Sequence, residues 1–151
     1  MTFTVWVDAD ACPNTIKAVL FRAAQKRGVN TVLVANQLIS VPPGKNISSI
    51  RVSGGFDVAD DYIVQHLQSG DLVITADIPL AAQVLKSGGV ALDPRGGLFS
   101  QENIAEKLAM RDFMAEMRDC GMQAGGPAAM TARDVQLFAN AYDRFLANQR
   151  R

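Results

Sequence analysis

Short apolar runs recur along this chain with helix-period segments between them, and that rhythm limits the fold more than any other feature. FTVWV (3–7), TVLVA (31–35), LVIT (72–75) and Val90 to Leu92 are brief and rich in the β-branched and aromatic residues that strands favour. Between the first two, Ile16, Val19, Leu20 and Ala23 recur at helical spacing. Pro13 suits the first turn of that helix, where its missing N–H is no loss, and Lys26, Arg27 and Gly28 suit its end. A strand, a helix and a second strand within about 30 residues make a right-handed crossover between parallel strands.

The pattern continues past the Pro42-Pro43-Gly44 loop. Ile50 to Val52 is expected to form a short edge strand. Val58, Tyr62, Ile63 and Leu67 predict a helix from Asp57 towards Gly70, and Ala81, Val84 and Leu85 predict another ending at Gly88 and Gly89. Strands alternating with helices give an α/β class with a mainly parallel sheet. Residues 100–151 read as a helical extension packed on a single domain spanning 1–151. Ser100 caps a helix with Ile104, Leu108, Phe113 and Met117 as expected core positions and a bend expected near Arg111 and Asp112. A turn is expected at Gly125-Gly126-Pro127. Thr131 with Asp134 resembles a capping box, ahead of a Val135, Phe138, Tyr142, Phe145 stripe. Met114, Met117, Met122 and Met130 are read as gap-filling core in preference to a binding surface.

Composition narrows the function. At 151 residues and 48% apolar content, the chain can bury one substantial core. Its formal net charge is zero, so no global basic field points to nucleic acid. No apolar run reaches membrane-spanning length, and Asp8 interrupts the N-terminus before a secretory core could form; a cytoplasmic protein is expected. Cys12 and Cys120 belong to no CxxC pair, and His66 is the single histidine, so zinc-type sites are disfavoured.

What the chain does supply is aspartate, at places the strand pattern makes informative. Asp8 and Asp10 leave the first strand in VDADACP, Asp77 leaves LVIT, and Asp57, Asp60 and Asp61 open the helix between. In a parallel α/β sheet the crevice beyond the carboxyl ends of the strands is the usual ligand site, so these acids are expected to converge there. Asp10, Asp57 and Asp77 each also stand where a side-chain oxygen could cap a helix. Capping accounts for neither Asp8 nor Asp60. Clustered carboxylates repel and take up protons near neutral pH unless a cation relieves them. An all-oxygen donor set suits Mg²⁺ or Mn²⁺, the usual apparatus for hydrolysing a phosphodiester.

Cationic and N–H donors for a substrate are sparser. Arg95 and Gly96, in DPRGG, are expected at the same edge, where the glycine would let an anion approach the backbone. Asn36 at the second strand tip and Thr75 before Asp77 could hydrogen-bond substrate, or simply end one strand and sit buried in the other. Lys45 and Arg111 are weaker candidates. His66 and Cys12 read as structural, and no Walker A or GxGxxG motif is present.

The runs VDADACP (7–13), LVANQ (33–37), GFDVADDYI (55–63), GDLVITADIPLA (70–81), DPRG (93–96), MRDF (110–113) and GGP (125–127) resemble the bacterial YaiI/YqxD family over nearly the full chain. The resemblance implies a PIN-like, Rossmann-like fold. It also implies the acidic constellation of PIN-like nucleases: Asp8, Asp10, Asp60 and Asp77 as catalytic acids and metal ligands, with Asp57 as a further ligand, support or cap. Asp61 is expected to be solvated. The expected function is a Mg²⁺- or Mn²⁺-dependent phosphodiesterase acting on RNA. The alternatives are a non-catalytic module binding RNA or protein, and a phosphatase acting on small phosphate esters.

Overall fold

The computed structural model describes residues 3–55, 57–121 and 129–149. The Gly125-Gly126-Pro127 turn and Met122 lie outside them. Five strands form one sheet: β1 (Thr4–Asp8), β2 (Asn30–Ala35), β3 (Ile47–Arg51), β4 (Leu72–Ile74) and β5 (Val90–Leu92). All pairings are parallel, and the spatial order is β3-β2-β1-β4-β5. The helices are α1 (Asn14–Arg27), α2 (Val58–His66), α3 (Ile78–Lys86), α4 (Gln101–Asp119) and α5 (Ala132–Asn148).

Strand alternation sorts the core into two layers. Val5, Val7, Leu33, Leu72 and Ile74 face α1 and α5, meeting Ile16, Leu20, Phe138, Tyr142 and Leu146. Trp6, Val34, Val73 and Ala91 face the other way, against Ile63 of α2 and Leu80, Ala81 and Val84 of α3. The result is a three-layer, Rossmann-like α/β domain. No helix among the described residues is long and apolar enough to cross a membrane.

Local chemistry sets the boundaries. Gly28 ends α1 in the left-handed region at φ 67°, with its N–H donating to the Ala24 carbonyl. Ser100 and Asn103 form a reciprocal capping box, and so do Thr131 and Asp134, although an aspartate replaces the longer acid there. The edge strand starts at Ile47, ahead of the expected Ile50. Asn46 pins that start: its side chain donates to the carbonyls of Ala24 and Val29, and its own carbonyl accepts from Thr31 N–H. Helix α2 stops at His66, short of Gly70, because the Gln68 N–H is taken by the Asp71 carboxylate.

Helix α4 corrects the expectation of core positions along it. It is a single helix from Gln101 to Asp119, continuous through Arg111 and Asp112, and none of its residues is buried. Phe113 is 53% exposed because, nine residues on, it lies about 180° around the axis from Ile104, which packs on the α2–α3 layer. Met114, Met117 and Met130 are half-buried, Met130 against the α1–α5 layer.

The strand order has one consequence for function. From β1 the chain moves outward through β2 and β3, then returns to place β4 on the other side of β1. This is a topological switch point, and it opens a crevice at the carboxyl ends of β1 and β4.

Candidate functional site

Asp8 is the last residue of β1, and the register that pairs Val7 with Ile74 sets Thr75 across from it. Both are buried. The Thr75 hydroxyl donates to Asp8 Oδ2 at 2.9 Å and accepts from the Asp77 N–H at 2.9 Å. One hydroxyl therefore couples the two strand exits. Asp77 caps α3, its Oδ1 accepting from Leu80 N–H at 3.0 Å.

Asp10 lies in a single 3₁₀ turn, Ala9–Ala11, between β1 and α1. It caps no helix there. Its carboxylate accepts from the Asn36 N–H at 2.8 Å and from the Gln37 side chain, tying the β1 exit to the β2 exit. Asn36 contributes its backbone to this contact.

Asp57 precedes α2 with φ 64°, the one non-glycine residue with positive φ among those described. Its side chain makes no capping bond. Left-handed backbone costs an L-residue roughly 1–2 kcal/mol, least for Asp and Asn, and such strain gathers at working sites. One turn on, Asp60 and Asp61 occupy the first turn of α2.

Asp57, Asp60, Asp61 and Asp77 line one cleft of about 320 Å³, together with Pro79, Leu80, Gln83 and Arg111. Burial, the charges of Asp77 and Asp8, a hydrogen bond to Asp77 and the charge of Asp57 push the Asp60 carboxyl up to about 7. Burial likewise raises Asp8, opposed by the Thr75 hydrogen bond and reinforced by the charges of Asp77 and Asp10. Charge thus links Asp8 to Asp10 and Asp77, and Asp60 to Asp8, Asp57 and Asp77, across three strand–helix units. Asp61 is exposed but lines the cleft wall.

As placed, the acids are not a ready-made cage: among the described residues, no group of three or more His, Cys, Asp or Glu side chains could hold a metal ion. Oxygens of Asp8, Asp10 and Asp77 are turned to Thr75, Asn36 and Leu80 instead. The donor chemistry nonetheless suits a hard divalent cation: every group is a carboxylate, and two have raised proton affinity, first from burial and then from neighbouring negative charge.

Arg95 and Gly96 serve a neighbouring element. The Arg95 guanidinium sits 2.7 Å from Asp134 Oδ2 at the start of α5. Gly96, at φ 97°, lies so close to the Leu137 backbone that a Cβ would come within 2.8 Å of it. Its lack of a side chain is used against a helix. Arg111 is the arginine that lines the acidic cleft, held at 3.1 Å to its exposed neighbour Asp112.

The remaining candidates, Cys12, His66 and Lys45, do not line the acidic cleft. Cys12 is buried and its thiol is pushed up to about 12, mainly by burial. His66 stacks on Tyr62 with ring centres 4.0 Å apart, its Nδ1 bonded to the Tyr62 carbonyl. Lys45 lies exposed in its loop. Sequence reasoning missed Asp71, a buried carboxylate at the opposite end of the sheet that accepts from Thr4 N–H, Trp6 Nε1 and Gln68 N–H. Its position just before LVIT, after Gly70, was the available signal.

Comparison with known proteins matches residues 6–148 to the family described as "Uncharacterized BCR, YaiI/YqxD family". A UPF0178 protein of Saccharophagus degradans is 60% identical over 142 residues, covering 94% of each chain. One from Shewanella sp. (strain MR-4) is 57% identical over 144 residues, covering 95% of this chain and 96% of the relative. One from Thioalkalivibrio sulfidiphilus is 57% identical over 145 residues, covering 96% and 99%. No solved structure matches.

Proposed function

The chain belongs to the YaiI/YqxD family, and from the acids at its switch point we propose that it is a divalent-cation-dependent phosphodiesterase of PIN-like type, with RNA as its substrate. The observation that carries this reading is that Asp60 and Asp77, from two strand–helix units, line one cleft with Arg111, while the buried Asp8 of a third lies close enough to interact with both through charge.

Asp8, Asp60 and Asp77 would hold Mg²⁺ or Mn²⁺, with Asp10 and Asp57 in support. When bound, such a cation lowers the pKa of its water and carries developing phosphoryl charge. The chain's own residues supply the rest. Thr75 orients Asp8 and fixes the start of α3 through the Asp77 N–H. Arg111 offers a planar pair of N–H donors to a phosphate oxygen at the cleft, an exchange its exposed pairing with Asp112 opposes weakly. The unpaired thiols Cys12 and Cys120 are consistent with a reducing cytoplasm.

The test is calorimetry with Mn²⁺ alongside cleavage assays on single-stranded RNA, structured RNA and a phosphomonoester, for the natural chain and for Asp8→Asn with Asp77→Asn. Expected are Mn²⁺ binding and RNA cleavage, both lost in the double variant while it stays folded. Absence of Mn²⁺ binding and of cleavage overturns the reading. Preferential turnover of the monoester turns it into a small-molecule phosphatase.

A further inference from the structure

Helix α4 carries an ordering of charge around its axis that pairing between neighbouring turns does not explain. At 3.6 residues per turn, Lys107, Arg111 and Arg118 fall within about 40° of one another around the axis. Glu102, Glu106, Asp112, Glu116 and Asp119 all lie at least about 80° from every one of them. Helices commonly place an acid three or four residues from a base. Here the residues at those distances from Lys107, Arg111 and Arg118 include no acid, and Lys107 and Arg111 are themselves a like-charged pair four apart, which is destabilising.

Three contacts fix where this stripe points. Lys107 Nζ lies 5.7 Å from the centre of the buried Phe99 ring. Ile104 packs on the α2–α3 layer. Arg111 lines the acidic cleft. The stripe therefore crosses the cleft mouth at Arg111, with Lys107 about 6 Å to one side along the axis and Arg118 about 10 Å to the other. All three are exposed, and among the described residues neither Lys107 nor Arg118 makes an ion pair.

We infer that this stripe is the track for the phosphates that flank the cleaved one, so that the site takes a single strand of nucleic acid running along α4 and not an isolated phosphate ester. The inference rests on the phosphodiesterase reading and specifies its substrate. Repulsion along the stripe is relieved by a polyanion, and one phosphate alone reaches Arg111 but neither end. Lys107 and Arg118 are positioning residues: they hold the strand and touch no reacting atom.

Fluorescence anisotropy with a labelled single-stranded RNA of about 12 nucleotides and with a dinucleotide, over a range of KCl, tests this for the natural chain, Lys107→Gln and Arg118→Gln. Thermal melts confirm that the surface variants stay folded. Three phosphate contacts give a log–log salt slope of about 2 for the long strand, and each substitution lowers it by about 0.7, or about fivefold in affinity at 0.1 M salt. Dinucleotide binding should not change. Unaltered slopes in both variants, no binding of the long strand, or an equal slope with polyglutamate, which marks a protein partner, overturns the inference. Cleavage is scored separately: altered slopes without cleavage keep the track and remove the hydrolase, whereas cleavage with unaltered slopes does the reverse.

Discussion

The Thr75 hydroxyl donates to Asp8 at 2.9 Å and accepts from the Asp77 N–H at 2.9 Å, so a single buried oxygen holds the exits of β1 and β4 in register. Replacing it with a methyl keeps the volume and removes both bonds. Thr75→Val should cost about 1–3 kcal/mol in denaturant unfolding. It should also raise Asp8 further, because the hydrogen bond from Thr75 is what lowers it. Thr75→Ser should retain most of both properties. Loss in Thr75→Ser with none in Thr75→Val would show that the methyl, not the hydroxyl, matters.

Asp60 makes stability depend on pH in a definite direction. Its carboxyl keeps a proton up to about pH 7 in the folded chain and ordinarily loses it near pH 4 when unfolded. Between those values the folded state binds the extra proton, so stability falls as pH rises through the window. The melting temperature should therefore drop from about pH 5 to about pH 8, and Asp60→Asn should flatten the fall. At pH 8, Mn²⁺ at a hundred times its Kd should add about 2.7 kcal/mol, or roughly 5–10 °C. At pH 5 the gain should be smaller, since protons compete with the ion.

Asp57 trades backbone comfort for a carboxylate at φ 64°. Asp57→Gly removes the left-handed penalty and should stabilise the chain by up to about 1 kcal/mol, read from the shift in denaturation midpoint. Cleavage should fall in the same variant. A glycine substitution that leaves both stability and turnover unchanged removes any role for the strain.

Asp71 is the opposite case, a buried acid with three donors. Asp71→Ala should cost about 3–5 kcal/mol, because Trp6 Nε1 and two backbone N–H groups lose their partner. Trp6 is the single tryptophan, so its emission reports the loss directly. Mn²⁺ affinity, measured below the melting temperature, should hold.

The layered parallel sheet was legible because alternation and helical spacing are local signals. FTVWV, TVLVA and LVIT became β1, β2 and β4, and the family motifs and acid positions also stood in plain view. The edge strand was obscured because Ser48 and Ser49 interrupt its apolar pattern and its start depends on Asn46 reaching back to α1. Phe113 is exposed because its nine-residue spacing from Ile104 carries it to the opposite face of α4, which apolar character alone does not reveal. The DPRG turn shows the same limit: nothing local says that Arg95 meets Asp134, 39 residues on. The Thr75 bridge likewise spans 67 residues and depends on strand order.

That span bears on how the chain is made. Asp8, Asp10, Asp57 and Asp60 all precede β4 in sequence, yet the crevice between β1 and β4 forms only once β4 has docked. A ribosome that has released the first sixty-odd residues has produced most of the acids and none of the pocket. Truncated products carry the acids without the crevice, which exists only once β4 has joined the sheet.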